Sequence, residues 1–184
     1  MTGGPASGKS AFAEKLAASC GYPAKYYIAT MRLLDENSRE RKRRHQKMRS
    51  GAGFLTFEIP LQIESAAERM HNPMQAVVLL ECVANLVGNL MHDPQWEDLL
   101  CEDDADSEAA FVKAVEEKIA KLDDTVGQLI VVTSEYEIPS GDAGDGAYDA
   151  QTKRYIRLLH AVNEALQQSA GAVYTEEDYR KDMA

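Results

Sequence analysis

Apolar and polar positions fall into blocks along this chain, and the blocks change period in a regular order. Residues 76–81 read Ala-Val-Val-Leu-Leu-Glu, five apolar side chains closed by a carboxylate. A run this short and this continuously apolar predicts a strand covered on both faces, as in a parallel sheet. Residues 128–133 repeat the pattern, and residues 26–30 do so after a Gly-Tyr-Pro turn at 21–23. Residues 54–59 alternate weakly and predict a shorter strand. Between these runs the period lengthens to that of a helix. Phe12 and Leu16 form a stripe within 11–19, and helices are expected over 61–70, ending near Pro73, and over 83–92. Phe111, Val115, Ile119 and Leu122 mark a helix over 108–124, and Tyr155, Leu158, Leu159, Val162 and Leu166 mark one over 148–169. Residues 172–174 predict a last short strand. Strands that alternate with helices predict an α/β fold with a mainly parallel sheet.

Three stretches stand outside this alternation. Residues 34–50 begin with Asp35-Glu36 and continue through Arg39, Arg41, Lys42, Arg43, Arg44, His45, Lys47 and Arg49. Acid at the start and base at the end suits a helix dipole. Residues 93–107 are polar, with Glu102, Asp103, Asp104 and Asp106 close together. A block of like charge is expected to stay in water as a loop or helix entry rather than to bind a cation. Residues 140–146 are a Gly/Asp-rich loop.

The chain has 184 residues, 45% of them hydrophobic. That suits one domain spanning 1–184 with a full core. Its net charge is −10 and its pI about 4.9, which argues against a nucleic-acid partner held by bulk electrostatics. No apolar run approaches the ~20 residues of a membrane span, and no signal-peptide pattern is present. Cys20, Cys82 and Cys101 are odd in number and far apart, which predicts free thiols in a reducing cytoplasm and no structural zinc site.

The first ten residues add chemistry. Gly3, four residues, and Gly8-Lys9-Ser10 fit the phosphate-binding P-loop, and the helix former run behind it supplies the loop-to-helix transition the motif needs. Backbone N–H groups from Gly3, Gly4 and Ser7 to Ser10 would wrap a phosphate at a helix N-terminus. Lys9 would reach the β/γ-phosphates and Ser10 would hold Mg²⁺. The fold expected is therefore a P-loop NTPase-like three-layer sandwich, and the ligand a nucleoside triphosphate. Such a loop leaves a buried strand, yet only Met1-Thr2 precede it. The first strand is thus expected to be cut short, at a cost of ~1.5–3 kcal/mol per missing buried side chain.

Ligands of such folds sit at the carboxyl ends of strands, where the P-loop, Thr30 and Glu81 fall. Glu81 occupies the place of a metal-side carboxylate, although it would also serve as a plain helix cap. Arg41, His45 and Arg49 lie on one helical face at steps of four. Cations beside His45 would keep its imidazole neutral and hold phosphates next to it, which suits a nucleophile at phosphorus. A polar residue on a solvated face is the alternative that these residues alone leave open.

Five ordered motifs resemble one family, the bifunctional adenosylcobinamide kinase/adenosylcobinamide-phosphate guanylyltransferases of cobalamin biosynthesis. They are residues 2–10, matching T-G-G-x-x-S-G-K-S; Tyr27-Ile28-Ala29-Thr30; Arg41, His45 and Arg49 with Phe54 and Glu58; Leu79-Leu80-Glu81-Cys82 with Asn89; and Val132-Thr133-Ser134-Glu135. The resemblance implies two reactions. One phosphorylates the aminopropanol hydroxyl of adenosylcobinamide from ATP or GTP. The other transfers GMP from GTP through a histidine–GMP phosphoramidate. Carried onto this chain it makes His45 the nucleophile and Gly8, Lys9 and Ser10 the phosphate and Mg²⁺ ligands. It puts Glu81 near the guanine or the metal, and Glu58 in the nucleotide site with Arg49. It also implies a homo-oligomer.

The chain departs from the family after Glu135. Tyr136-Glu137-Ile138-Pro139 replaces V-G-x-G-I-V-P, Asn163 alone survives of a later F-R-D…G-R-x-N-Q pattern, and Thr175-Glu176-Glu177-Asp178-Tyr179 replaces a terminal strand. These departures fall in loops that complete the acceptor side. Two other readings follow from them: a small-molecule P-loop kinase or nucleotidyltransferase with a changed acceptor, and a non-catalytic nucleotide-binding relative.

Overall fold

The computed structural model describes residues 1–4, 7–32, 53–101, 104–136 and 148–182. Four strands form its sheet: β1 (Ala24–Ala29), β2 (Leu55–Glu58), β3 (Ala76–Glu81) and β4 (Gln128–Val132). All pair in parallel, in the order β2-β1-β3-β4. β3 is central, and its five apolar residues are fully buried. Successive side chains of a strand face opposite ways. Val78 and Leu80 therefore join Ile28 and Phe57 in one core, while Val77 and Leu79 join Tyr27, Ile130 and Val132 in the other. Helices cover both, which is why β3 reads as an unbroken apolar run.

The first core is closed by α2 (Val83–Met91), α4 (Ala105–Asp123) and α5 (Ala150–Ser169), through Leu86, Phe111, Val115, Leu158 and Leu159. The second is closed by α1 (Lys9–Ser19), whose Ala13 and Ala17 meet the sheet. The result is the expected three-layer α/β sandwich. A one-turn helix, α3 (Pro94–Glu97), follows α2, and α6 (Glu176–Asp182) ends the described chain against α1.

Several boundaries differ from expectation. The helix predicted over 61–70 is a 3₁₀ segment, Ile63–Arg69, whose buried residues Ile63 and Ala66 are three apart, the period of a 3₁₀ turn. α4 starts at Ala105 rather than 108, because Asp104 caps it by accepting the Ser107 N–H at 3.0 Å. One member of the acidic block is thus a helix cap. The stretch 172–174 forms no strand, and 34–50 and 140–146 lie outside the described residues.

Met1, Thr2 and Gly3 lie along the outer edge of β4. The Thr133 N–H donates to Met1 O at 2.9 Å and the Glu135 N–H to Gly3 O at 3.2 Å. On the other flank the Thr2 N–H donates to Tyr174 O at 3.1 Å. These bonds reach only the carboxyl end of β4. Beside the rest of that strand runs a hollow of about 770 Å³, lined among others by Leu129, Val131, Ile119, Leu166 and Val173. It borders neither Lys9, Ser10 nor Glu81 and is not the candidate site.

Candidate functional site

Four parallel strands bring their carboxyl ends to one edge of the sheet. The register sets Glu58, Ala29, Glu81 and Val132 side by side there. These four residues share the face that α1 covers: Ala29, Glu81 and Val132 lie two residues beyond Tyr27, Leu79 and Ile130 of the second core, and Glu58 follows Phe57, which faces the first core. Glu58 and Glu81 are separated by one strand, about 10 Å from Cα to Cα at a spacing of about 4.8 Å per strand. Glu58 is exposed at the end of β2.

Gly8 turns the chain into α1 with φ of 90°, a left-handed conformation open to glycine. No side chain caps α1 at Gly8. The first amides of the helix therefore remain available for an anion. Lys9, buried at the first helical position, turns back and donates from Nζ to Gly4 O at 2.8 Å. Burial holds its ammonium below the ordinary lysine pKa, against the opposing influence of Cys82, Glu81, Glu176 and Glu135. Ser7 Oγ is buried in the loop with no hydrogen-bond partner among the described residues. An uncapped helix start, a desolvated ammonium and an orphaned hydroxyl together suit a phosphate oxygen.

Ser10 Oγ donates to Glu81 Oε1 at 2.7 Å, and Tyr27 donates from its hydroxyl to Glu81 Oε2 at 2.6 Å. The two residues expected on the metal side are thus in contact, across about 70 residues of sequence. Hard oxygen donors of this kind fit Mg²⁺, which commonly takes one or two protein ligands plus phosphate oxygens and water. Among the described residues no three His, Cys, Asp or Glu groups cluster as a metal cage.

The motifs behind the P-loop also converge. Cys82 N–H donates to Thr30 Oγ1 at 2.8 Å, and that hydroxyl donates to Cys82 O at 2.8 Å. Asn89 reaches from α2 to Thr30 O at 2.7 Å and Pro60 O at 2.9 Å, fixing the exits of β1 and β2. Thr2 Oγ1 donates to Glu135 Oε1 at 2.6 Å. Buried Asn163 accepts from Thr133 Oγ1 at 2.7 Å and donates to Ser134 O at 3.1 Å. Burial pushes the Cys82 thiol up to about 11, which leaves it protonated and unreactive.

Of the expected site residues, Gly3, Gly4, Ser7, Gly8, Lys9, Ser10 and Glu81 gather at one place, and Glu58 lies at the same sheet edge. Arg41, His45 and Arg49 lie outside the described residues. Tyr27 and Glu176 went unnoticed as site residues. Tyr27 lies two residues before Ala29 and so on the face of Glu81, which was readable once the strand pairing was known. Glu176 accepts the Gly4 N–H at 2.8 Å from a helix that had not been foreseen.

The sequence model of a family described as cobinamide kinase / cobinamide phosphate guanyltransferase matches residues 1–177. The chain is also 30% identical over 177 residues to the "Bifunctional adenosylcobalamin biosynthesis protein CobU" of Escherichia coli (strain K12), covering 95% of this chain and 92% of that protein. The similarity thus runs past Glu135 and through the divergent carboxyl-terminal region as far as Glu177.

Proposed function

We propose, for a chain that belongs to the cobinamide kinase / cobinamide phosphate guanyltransferase family, that one domain over 1–184 carries out both reactions of that name. In the kinase step the aminopropanol hydroxyl oxygen of adenosylcobinamide bonds to the γ-phosphorus of ATP or GTP. The bond to the bridging β-oxygen breaks, the nucleoside diphosphate leaves, and the hydroxyl proton is released. In the second step a ring nitrogen of His45 bonds to the α-phosphorus of GTP and pyrophosphate leaves. The cobinamide phosphate oxygen then displaces His45 from the guanylyl phosphorus, breaking the P–N bond.

The contact between Ser10 and Glu81 at 2.7 Å is the observation that carries this reading. It supports the reading because a P-loop would deliver the terminal phosphates to this hydroxyl and carboxylate. Bound Mg²⁺ would neutralise charge on the β- and γ-phosphates, with Ser10 and Glu81 as its protein ligands. Lys9 holds the same phosphates, and the amides of Gly8 to Ser10 orient them. Exchange of the Lys9 bond to Gly4 O for a phosphate oxygen restores a counter-charge to a desolvated ammonium. Glu58 and Arg49 would border the nucleotide.

Incubation with α-³²P-GTP and Mg²⁺ tests the second step. Acid-labile, base-stable label on wild-type protein that is lost in His45→Ala is the expected outcome. Absence of label in wild type with nucleotide binding intact removes the guanylyl step. ADP release that depends on adenosylcobinamide, and disappears in Lys9→Ala, is expected for the kinase step. ADP release only with another acceptor would assign the site to a different small molecule. The same reading makes the protein a cytoplasmic homo-oligomer, which light scattering on the purified chain checks.

A further inference from the structure

Thr175-Glu176-Glu177-Asp178 has the spacing of a helix-entry box, in which the capping threonine and the acid three residues on serve each other's backbone. The structure forms one half of it: the Thr175 N–H donates to Asp178 Oδ2 at 2.8 Å, while the Thr175 hydroxyl donates to the same oxygen at 3.3 Å and the Asp178 N–H goes to Thr175 O at 3.1 Å. Acid in the first turn and Arg180-Lys181 in the last suit the dipole, and Arg180 pairs with Glu176 at 3.3 Å. Even so, α6 has seven residues, and an isolated helix below about 12–15 residues is marginal in water. Tertiary contacts must hold it.

Those contacts lead to the phosphate loop and to the residues that flank it. Tyr179 is completely buried near the end of the described chain. Its ring packs on Phe12 of α1, with centroids 5.1 Å apart, and Phe12 also meets Tyr174 at 5.4 Å. Its hydroxyl lies 2.8 Å from Thr2 O and 2.9 Å from Tyr174 O, and its single proton serves one carbonyl at a time. One turn earlier, Glu176 Oε1 accepts the Gly4 N–H. A Cβ on Gly3 would come within 3.0 Å of Glu176 Cγ, so a side chain at position 3 would press on Glu176. Gly4 is therefore gripped on both sides, its N–H by Glu176 and its carbonyl by Lys9.

We propose that α6 clamps the phosphate loop and that Glu176 is a positioning residue for nucleotide binding, an inference that rests on the nucleotide reading above. Glu176 acts through the backbone of Gly4. Its side chain is 38% exposed, so water and salt screen its charge, and the hydrogen bond that fixes the loop is the larger effect. With Gly4 already held, the nucleotide spends less binding energy on fixing the backbone it meets.

The variants separate bond from charge. Glu176→Gln keeps an acceptor for Gly4 and loses the charge, Glu176→Ala loses both, and Glu177→Ala removes a neighbouring exposed charge. Titration of the full chain with a fluorescent GTP analogue and Mg²⁺ should show binding weakened roughly three- to tenfold in Glu176→Ala. Glu176→Gln and Glu177→Ala should stay within about twofold of wild type. Where wild type binds, unchanged binding in Glu176→Ala, or Glu176→Gln as weak as Glu176→Ala, overturns the clamp. Tighter binding in both Glu176 variants overturns it too, and makes the carboxylate a rival of the phosphate. Amide hydrogen exchange without nucleotide reads the clamp separately, with faster exchange at Gly3, Gly4, Ser7 and Gly8 expected in Glu176→Ala only. If wild type and Lys9→Ala fail alike to bind nucleotide while exchange behaves as expected, the clamp stands and the nucleotide reading falls. Equal exchange in all variants overturns the clamp whatever the titration shows.

Discussion

Two carboxylates reach the phosphate loop from different parts of the molecule. Glu81 arrives from the end of β3, the most buried strand, with one oxygen on Ser10 and the other on Tyr27. Glu176 arrives from a seven-residue helix at the chain's end, with one oxygen on the backbone of Gly4 and the other near Arg180. The bonds are of similar length, 2.7 and 2.8 Å to the loop. Their foundations are not similar. A carboxylate meant to act on phosphate or metal needs a fixed place and a side-chain partner that can exchange. A carboxylate that holds backbone needs only an amide, and α6 must itself be held before it can hold anything.

That contrast breaks most sharply at Tyr179. Replacing this fully buried ring with alanine should destabilise the protein on the order of 3–5 kcal/mol, because among its described side chains α6 has no other large buried one. Denaturant unfolding followed by circular dichroism reads the change. A midpoint like that of wild type would mean that α6 is dispensable and that Glu176 hangs on it for no purpose. Glu81→Gln should do the reverse. Its acceptor oxygen can still meet Ser10, so stability should change by less than about 1 kcal/mol. The kinase rate should fall roughly 10²–10³-fold through loss of the charge that supports the phosphate site. A rate within a few-fold of wild type would reduce Glu81 to a structural tie between β3, Ser10 and Tyr27; the helix-cap alternative is already set aside, because α2 is entered through Cys82 with no side-chain cap.

The same contrast explains what could be read from sequence. β3 was legible because both its faces are covered, so burial leaves no gap in the apolar run. Gly8, Lys9 and Ser10 were legible because phosphate chemistry fixes their order in one short segment. The Ser10–Glu81 contact was foreseeable in outline, since parallel pairing gathers strand ends at one edge. Tyr27 was not singled out, because its role needs the face of β1 that α1 covers. α6 was missed although Thr175 and Asp178 carry the entry signal. Its apolar content is essentially Tyr179, and one buried residue makes no periodicity. The segment 172–174 looked like a strand from its apolar residues, but Tyr174 contributes a single carbonyl to Thr2 and turns its ring to Phe12. Residues 61–70 had a helix's composition, while burial at intervals of three set a 3₁₀ turn. His45 and Arg49 lie outside the described residues, and their part in the site stays with the labelling test.

Tyr27→Phe sharpens the comparison at its finest point. Glu81 differs from Glu176 in that a second side chain within the folded core holds its far oxygen. Tyr27 is itself buried, in the cluster that α1 covers, and its ring meets Phe54 edge-on at 6.3 Å. Removing the hydroxyl keeps that ring packing and costs one hydrogen bond to a charged acceptor. The carboxylate then keeps its contact with Ser10 but gains freedom to rotate about it. A transition-state role needs Glu81 in one orientation, whereas on the proposed reading ground-state nucleotide binding would rest mainly on Lys9 and the loop amides. The expected outcome is a kcat lowered about two- to tenfold, corresponding to about 0.5–1.5 kcal/mol, with the nucleotide KM little changed. A raised KM at constant kcat would instead make Tyr27 a support of the loop, acting on nucleotide affinity as Glu176 does, and would erase the distinction between the two carboxylates.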